Sequence, residues 1–149
     1  MRIEEIIKSE NVDISKKVIL NVMYSNSKLN ETFYVALKPF DMSTEQFNVL
    51  RILRGQKGNA LNMSDIQERM IAKTSNTTRL VDKLLKKELV TRRVCKDNRR
   101  KMDVSITDKG LELLKILDPL VKAHEEHFTN KLNEEELDTL NKLLEKFRS

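Results

Sequence analysis

Apolar residues recur at intervals of three and four along the first part of the chain, the spacing of one face of an α-helix. The residues on this face are Val18, Ile19, Val22, Met23, Leu29, Phe33 and Leu37. Asp13 or Ser15 can cap the start of such a helix. We expect it to end near Lys38-Pro39, because the residue before a proline disfavours the α region. The pattern therefore predicts a long amphipathic helix over residues 13–38.

A second helix is predicted to begin at Ser43. Gln46 follows Ser43 by three residues, which is the spacing of a capping box. The buried stripe of this helix is predicted to consist of Phe47, Leu50 and Leu53. Gly55 and Gly58 mark its end and a loop.

Two further helices are predicted after this loop. Ser64 and Gln67 repeat the capping-box spacing at the start of a short third helix. Its apolar face consists of Ile66, Met70 and Ile71. A turn through Ala72 and Lys73 then leads to a fourth helix, about Thr74 to Lys87. The residues that this fourth helix is expected to bury are Leu80, Val81, Leu84 and Leu85.

The next two segments, residues 89–95 and 102–107, are rich in β-branched residues, and the second alternates with period two. We expect them to pair as a hairpin. Its tip holds Asp97-Asn98, which tolerate turn conformations, beside the basic residues Arg99, Arg100 and Lys101. A charged tip can serve binding, and it can equally protect an exposed hairpin from pairing with other strands.

The C-terminal part of the chain predicts two more helices. Thr107 and Asp108 can open the fifth, in which Pro119 introduces a bend. Its apolar positions are Gly110, Leu114, Leu117, Val121, His124 and Phe128. Asn133 and Glu136 open the sixth. Its apolar positions are Leu137, Leu140, Leu144 and Phe147. We expect this long stripe to meet the first helix and the same elements of a second chain, because its exposure would be a liability in a monomer.

The order of these elements predicts a mainly α protein with a small β-hairpin wing. A winged helix-turn-helix lobe over residues 43–107 lies between helical segments 13–38 and 108–149, all within one domain over residues 1–149. A chain of 149 residues is of typical single-domain size.

Positive charge is concentrated in the predicted lobe. The chain carries a formal net charge of +5. Residues 73–103 hold eleven Lys or Arg against four Asp or Glu, so this segment is +7 and the remainder is −2. A local excess of this kind indicates a binding face for an acidic partner such as nucleic acid.

The fourth helix is the candidate recognition helix. The polar residues outside its apolar stripe include Ser75, Asn76, Thr78, Arg79 and Lys83. Small hydroxyl and amide side chains beside an arginine allow close approach to phosphate and contact with base edges in a major groove. The same residue types are also ordinary helix-capping chemistry, so this feature alone does not decide between the two interpretations.

Several function classes have little support in the sequence. Two histidines and three glycines offer no catalytic or phosphate-cradling arrangement, so we expect no enzyme and no cofactor. The single cysteine excludes an intramolecular disulfide. No apolar run approaches the roughly 20 residues of a membrane span, and no signal-peptide pattern follows the first residues. We expect a cytoplasmic protein without a membrane partner.

Two small clusters invite sensing roles. His124 and His127 could share one face of a helix and bind a metal, but a structural site needs about four ligands and no second cluster is evident. Cys95 has basic neighbours, Arg93 and Lys96, that could favour the thiolate and oxidant sensing. We interpret His124 as a core or interface residue, His127 as a surface residue and Cys95 as an ordinary strand residue.

The ordered set of short motifs resembles the MarR family of bacterial transcriptional regulators over essentially the whole chain. The motifs are Ser64-Asp65-Ile66, Thr78-Arg79-Leu80-Val81-Asp82-Lys83-Leu84, Leu89-Val90-x-Arg92, Asp97-x-Arg99 and Val104-x-Ile106-Thr107-x-x-Gly110. The Asp-x-Arg wing with the following strand and Thr-x-x-Gly is the most specific of them. The resemblance implies a homodimer, with residues 13–38 and 108–149 as dimerisation helices, that binds a pseudo-palindromic operator. It also implies a repressor that a small-molecule effector or an oxidant releases.

The resemblance assigns roles to particular residues. Arg99 would enter the minor groove, Asp97 would orient Arg99, and Arg100 and Lys101 would complete the basic tip. The residues that would face the major groove are Ser75, Asn76, Thr78, Arg79 and Lys83.

The sequence departs from the family pattern at three positions. Ile71 and Glu88 stand where members often have glycine, and Lys73 stands where a Ser or Thr usually starts the recognition helix. These departures affect where that helix starts. Two other functions remain open: a winged-helix module that binds an acidic protein, and a metal-responsive regulator.

Overall fold

The computed structural model describes all 149 residues and contains two compact units, Met1–Thr44 and Glu45–Ser149. The first unit consists of α1 (Ile3–Ile7), α2 (Ile14–Leu37) and a 3-10 helix (Lys38–Phe40). The second contains α3 (Thr44–Arg54, which starts at the boundary), α4 (Met63–Arg69), α5 (Thr77–Lys86), α6 (Asp108–Thr129) and α7 (Glu134–Arg148). Its strands are β1 (Leu61–Asn62), β2 (Val90–Val94) and β3 (Met102–Ile106). A mainly helical fold with a small wing is therefore confirmed.

The long first helix is α2, and both of its predicted ends are confirmed. The side chain of Asp13 accepts a hydrogen bond from the Lys16 backbone N–H at 3.1 Å, so Asp13 rather than Ser15 is the cap. The helix ends at Leu37, directly before Lys38-Pro39. The preceding α1 was missed, because one turn is too short to show a periodic pattern. A hydrogen bond from Lys17 holds the pKa of the Glu4 carboxyl in α1 below its ordinary value.

The strands form a three-stranded antiparallel sheet in the order β1-β3-β2. The predicted hairpin is confirmed: Val90 lies opposite Ile106 and Val94 opposite Met102. Leu61 of β1 pairs with Val104 of β3. The two-residue strand β1 was missed because two residues cannot show alternation.

The core of the second unit is built from the apolar residues of α3, α4, α5 and α6 and from β3. Its fully buried side chains include Val49, Leu50, Leu53, Ile66, Met70, Val81, Leu84, Val104, Leu114 and Leu117. Leu80 and Leu85 of α5 are half-buried, so the buried stripe of this helix is narrower than predicted.

The predicted limits of α4 were wrong at both ends. Asn62, not Ser64, is the cap, because its backbone is extended and its side chain accepts from the Asp65 N–H at 3.0 Å. The helix ends at Arg69, and the backbone of Met70 is again extended. Ile71 therefore lies beyond the helical periodicity and is 80% exposed instead of buried.

The fourth predicted helix, about Thr74 to Lys87, is shorter in the structure. The α5 helix begins at Thr77, and Asn76 caps it by accepting from the Arg79 N–H at 3.1 Å. Residues 70–76 form a non-helical segment, here named the 70–76 turn.

The C-terminal helices begin where the sequence predicts. Thr107 caps α6 by accepting from the Gly110 N–H at 3.1 Å. At the start of α7, Asn133 and Glu136 form both bonds of the capping box, each 2.9 Å long. No residue of α7 is buried. Its exposed apolar side chains are Leu140, Leu143, Leu144 and Phe147.

No helix combines the length and the apolar character needed to cross a membrane.

Candidate nucleic-acid interface

One junction joins the end of α5, the wing and the start of α6. Glu88, directly after α5, has a left-handed backbone with φ of 60°. This conformation explains why the family pattern has glycine at that position. The Thr107 hydroxyl donates to the Glu88 carbonyl at 2.8 Å, and the Thr107 N–H donates to the Leu89 carbonyl at 3.0 Å. The candidate recognition helix and the wing therefore share a base.

Gly110 closes this junction. A Cβ atom on Gly110 would clash with the carbonyl oxygen of Leu89 and would lie 2.7 Å from Cγ1 of Ile106. Glycine is required here because the first turn of α6 packs directly against backbone. The Thr-x-x-Gly motif thus has two physical functions, a helix cap at Thr107 and a close approach at Gly110.

Two amide side chains from other helices hold the 70–76 turn. Asn48 of α3 is buried, and its Oδ1 accepts from the Ile71 N–H at 3.1 Å. Gln67 of α4 donates through Nε2 to the Lys73 carbonyl at 2.8 Å and accepts from the Thr77 hydroxyl. Thr77 is the first residue of α5. The start of α5 is therefore fixed by tertiary hydrogen bonds.

The predicted major-groove residues do not all lie in equivalent places. Thr78, Arg79 and Lys83 are exposed on α5, and Arg79 and Lys83 are four residues apart and share one side of the helix. Asn76 is exposed but precedes the helix, and its side chain is occupied as the cap. Ser75 is half-buried, and its hydroxyl oxygen is buried without a hydrogen-bond partner. The structure thus brings Thr78, Arg79 and Lys83 together and turns the Ser75 hydroxyl away from solvent.

The wing is tied to α5 by an ion pair that the sequence did not predict. Arg92 of β2 donates to Asp82 of α5 at 2.9 Å. Both side chains are partly exposed, so the pair contributes about 1 kcal/mol or less to stability. Both residues occur in the family-like motifs, but only the fold shows that they meet.

The tip of the wing is held by its own backbone. The Asn98 side chain accepts from the Arg100 N–H at 3.0 Å, and the Asn98 carbonyl accepts from the Lys101 N–H at 2.9 Å. The Cys95 N–H closes the loop on the Lys101 carbonyl at 2.9 Å. The tip residues Arg99, Arg100 and Lys101 are all exposed. No hydrogen bond or ion pair joins Asp97 to Arg99, so the structure does not bring these two side chains together.

The positive charges of α5 and the wing tip are not neutralised within the chain. Arg92 is paired with Asp82, whereas no carboxylate forms an ion pair with the other cations of these regions. These unpaired cations include Arg79, Lys83, Lys86, Arg99, Arg100 and Lys101. Two separate clusters of free positive charge, one on a helix and one on a hairpin, suit contact with a polyanion.

The candidate sensing residues form no assembled site. No group of three or more His, Cys, Asp or Glu side chains is arranged to hold a metal ion. The rings of His124 and His127 both pack near Phe128, with centroids 5.2 and 5.0 Å away. Cys95 is a half-buried free thiol.

The arrangement defines a winged helix-turn-helix lobe, a class of fold that presents a helix and a hairpin on one scaffold. Residues 42–102 match the model of the MarR family. The transcriptional regulator YfiV of Bacillus subtilis is 37% identical over 75 residues, which cover 50% of this chain and 46% of YfiV. The transcriptional repressor MprA of Escherichia coli is 29% identical over 93 residues, which cover 62% and 53%. The chain thus spans about half of the length of these curated relatives.

The same fold is found in a solved structure of a cysteine-to-serine mutant of Escherichia coli MarR complexed with operator DNA. The TM-score is 0.78 at 23% identity, with 91% of this chain and 99% of that chain covered. The MarR family model therefore matches the part of the chain that runs from α3 to the start of β3. The prediction that it is not an enzyme is confirmed, because the relatives that it matches are regulators.

Proposed function

We propose that this protein is a sequence-specific DNA-binding transcriptional regulator. The observation that carries the proposal is the free positive charge on two connected elements, α5 and the wing, which share the junction at Glu88, Leu89 and Thr107. Names of relatives support it, since MprA is a transcriptional repressor and the similar MarR structure contains operator DNA.

In the proposed mechanism, cations of the lobe over residues 43–107 contact phosphates and set its position on the duplex. Thr78, Arg79 and Lys83 lie in the major groove, and Arg99 enters an adjacent minor groove beside Arg100 and Lys101. Asn76 contributes by capping α5. The N-terminus of this helix faces a phosphate in the proposed complex. Ser75 contributes through its backbone, since its hydroxyl is buried.

We further propose that the protein acts as a homodimer. The apolar side chains of α7, which include Leu140, Leu143, Leu144 and Phe147, are between 36% and 58% exposed in the single chain. A second chain would remove them from water. Segments 13–38 and 108–149 are the proposed dimerisation helices. Two-fold symmetry would place two α5 helices roughly 34 Å apart, one turn of DNA.

The proposal includes repression, with release by a small-molecule effector in the cytoplasm. Repression is supported by the name of MprA. The effector is tested after the operator is known, by screening compounds for those that lower the affinity of the complex.

The direct test is fluorescence anisotropy of the full chain with DNA from its own upstream region and with a scrambled duplex, at two salt concentrations. Phosphate contacts predict a steep loss of affinity with salt on both duplexes. A preference for the native duplex that persists at the higher salt supports sequence reading. Equal binding that salt abolishes on both duplexes sends the search to random duplexes, and failure to select any sequence there would overturn the proposal.

A further inference from the structure

Gln67 uses both ends of its side-chain amide at the start of α5. Nε2 donates to the carbonyl of Lys73, in the middle of the 70–76 turn, at 2.8 Å. Oε1 accepts from the hydroxyl of Thr77, the first residue of α5. One side chain of α4 therefore connects the turn and the helix that the turn leads into.

The chemistry of these partners leaves the amide only one orientation. A carbonyl oxygen can only accept, so the nitrogen of the Gln67 amide must face Lys73. Its oxygen must then face Thr77, whose hydroxyl has to be the donor. Thr77 is only 5% exposed, so water cannot easily replace this partner. A change at either end would leave a polar atom at the start of α5 without its partner.

Other bonds near the turn act locally and do not replace this connection. The Ser75 N–H donates to the Ala72 carbonyl at 3.1 Å within the turn. Asn76 caps α5 from the position directly before the helix. Asn48 fixes Ile71 at the other end of the turn. The Lys73 side chain also donates to the Glu68 carbonyl of α4, so the turn has a second hydrogen bond to this helix. Among these bonds, only that of Gln67 reaches Thr77, the first residue of α5.

We propose that Gln67 is a positioning residue that sets the placement of α5, and with it the sequence selectivity of Arg79 and its neighbours. This inference rests on the proposed function, because selectivity is read on DNA. Gln67 does not itself contact DNA in this scheme. It acts through the 70–76 turn, so its loss reduces discrimination between duplexes more than it reduces binding through phosphates.

The test is Gln67→Glu in the full chain, with Gln56→Glu as the matched control. Gln56 is also half-buried, and its Nε2 donates to a backbone carbonyl, that of Ile52, at 3.3 Å. Both variants add the same negative charge and remove the same kind of donor. Only the Gln67 variant places a carboxylate oxygen against the carbonyl that precedes α5.

At neutral pH we expect Gln67→Glu to lower the affinity ratio of native over scrambled duplex roughly tenfold. Gln56→Glu should leave this ratio within about twofold, since its site is remote from the turn. Protonation of the carboxylate that Gln67→Glu introduces restores an O–H donor toward Lys73. The ratio should therefore recover as the pH falls toward about 5, where a carboxyl with a raised pKa takes up its proton. A role in general stability alone would not produce this recovery.

A second pair of variants covers the case in which Gln67→Glu does not fold. Thr77→Val keeps the size of the side chain and removes the hydroxyl, and Thr77→Ser keeps the hydroxyl. The valine variant should lose several-fold in the affinity ratio, and the serine variant should retain it. Equal ratios for the two would contradict the proposal.

Hydrogen exchange in the DNA-free protein separates this inference from the proposed function. The backbone amides of Ser75 and Arg79 should exchange faster in Gln67→Glu than in Gln56→Glu at the same neutral pH. Unchanged exchange and an unchanged affinity ratio would overturn the role of Gln67. A parent protein that prefers no duplex would overturn both the proposed function and the selectivity role, and the exchange rates would still show whether Gln67 holds the turn.

Discussion

Most residues of the 70–76 turn and all three cations of the wing tip are exposed, and the two regions are held in different ways. Side chains from α3 and α4 fix the turn at Ile71, Lys73 and Thr77. The tip is held only by hydrogen bonds among its own residues, such as that from the Arg100 N–H to Asn98. The first region is preorganised by the fold, and the second can adjust to its partner.

This difference suits two kinds of DNA readout. Base edges in a major groove must be met by side chains at defined positions, which requires a fixed helix. The width of a minor groove varies with sequence, so an arginine on an adaptable loop can follow it. Under the proposed function, α5 would therefore perform direct readout and the wing tip would perform shape readout.

The largest effect is expected at the junction that joins the end of α5, the base of the wing and the start of α6. Gly110→Ala forces a Cβ against the Leu89 carbonyl and Ile106, so it should lower the free energy of unfolding by about 3 kcal/mol. Thermal or denaturant unfolding measures this. Gly55→Ala is the control, because its Cβ would meet its nearest atom, the Ile52 carbonyl oxygen, at 3.4 Å. Equal losses for the two variants would mean that the junction is not closely packed.

The second largest effect is expected at Arg79 of α5, the helix whose start is held through the 70–76 turn. Arg79→Ala should weaken binding to the best operator by roughly thirtyfold, about 2 kcal/mol, and binding to random DNA much less. Anisotropy titrations on both duplexes measure the difference. Arg148→Ala, at the end of α7, removes the same charge far along the chain and should affect both duplexes slightly. Equal losses on both duplexes for Arg79→Ala would reduce Arg79 to a phosphate contact.

A smaller effect is expected at Arg99 in the wing tip. Arg99→Ala should lower affinity roughly fivefold, and most on operators whose flanking minor groove is A·T-rich. Arg99→Lys keeps the charge and separates general attraction from the shape of the guanidinium. Both variants are titrated against operators with A·T-rich and G·C-rich flanks. The same loss on both flanks would remove Arg99 from shape readout.

The smallest effect sharpens the comparison itself. Asn98→Ala removes the acceptor of the Arg100 N–H, so this amide should exchange faster with solvent. The free energy of unfolding should change by only about 0.5 kcal/mol, because the tip is exposed and stabilised locally. A large loss of global stability would show that the tip is part of the cooperative fold, and the contrast with the 70–76 turn would fail.

Much of the fold could be predicted because it depends on local chemistry. The caps at Asp13, Thr107 and Asn133, the end of α2 before Pro39 and the hairpin all follow from neighbouring residues. The errors occurred where several local solutions compete. Asn62 took the place of Ser64 as a cap, and α5 began at Thr77 instead of near Thr74.

The candidate site was predictable by residue type and less so by role. Thr78, Arg79, Lys83 and the basic tip are exposed as their polarity suggests. The buried hydroxyl of Ser75 could not be foreseen, because its burial depends on how the turn packs. Gln67 fits a capping-box spacing in the sequence, and its actual partners lie six and ten residues away.

The sequence by itself determined the order of helices and strands, most of their ends, and the concentration of positive charge in residues 73–103. These depend on periodicity, capping and composition, which act over a few residues. Only the tertiary structure decided that Asn48 and Gln67 hold the turn, that Arg92 meets Asp82, and that Gly110 must lack a side chain. Each of these is a contact between separate elements, and its geometry exists only once the helices and the sheet have packed.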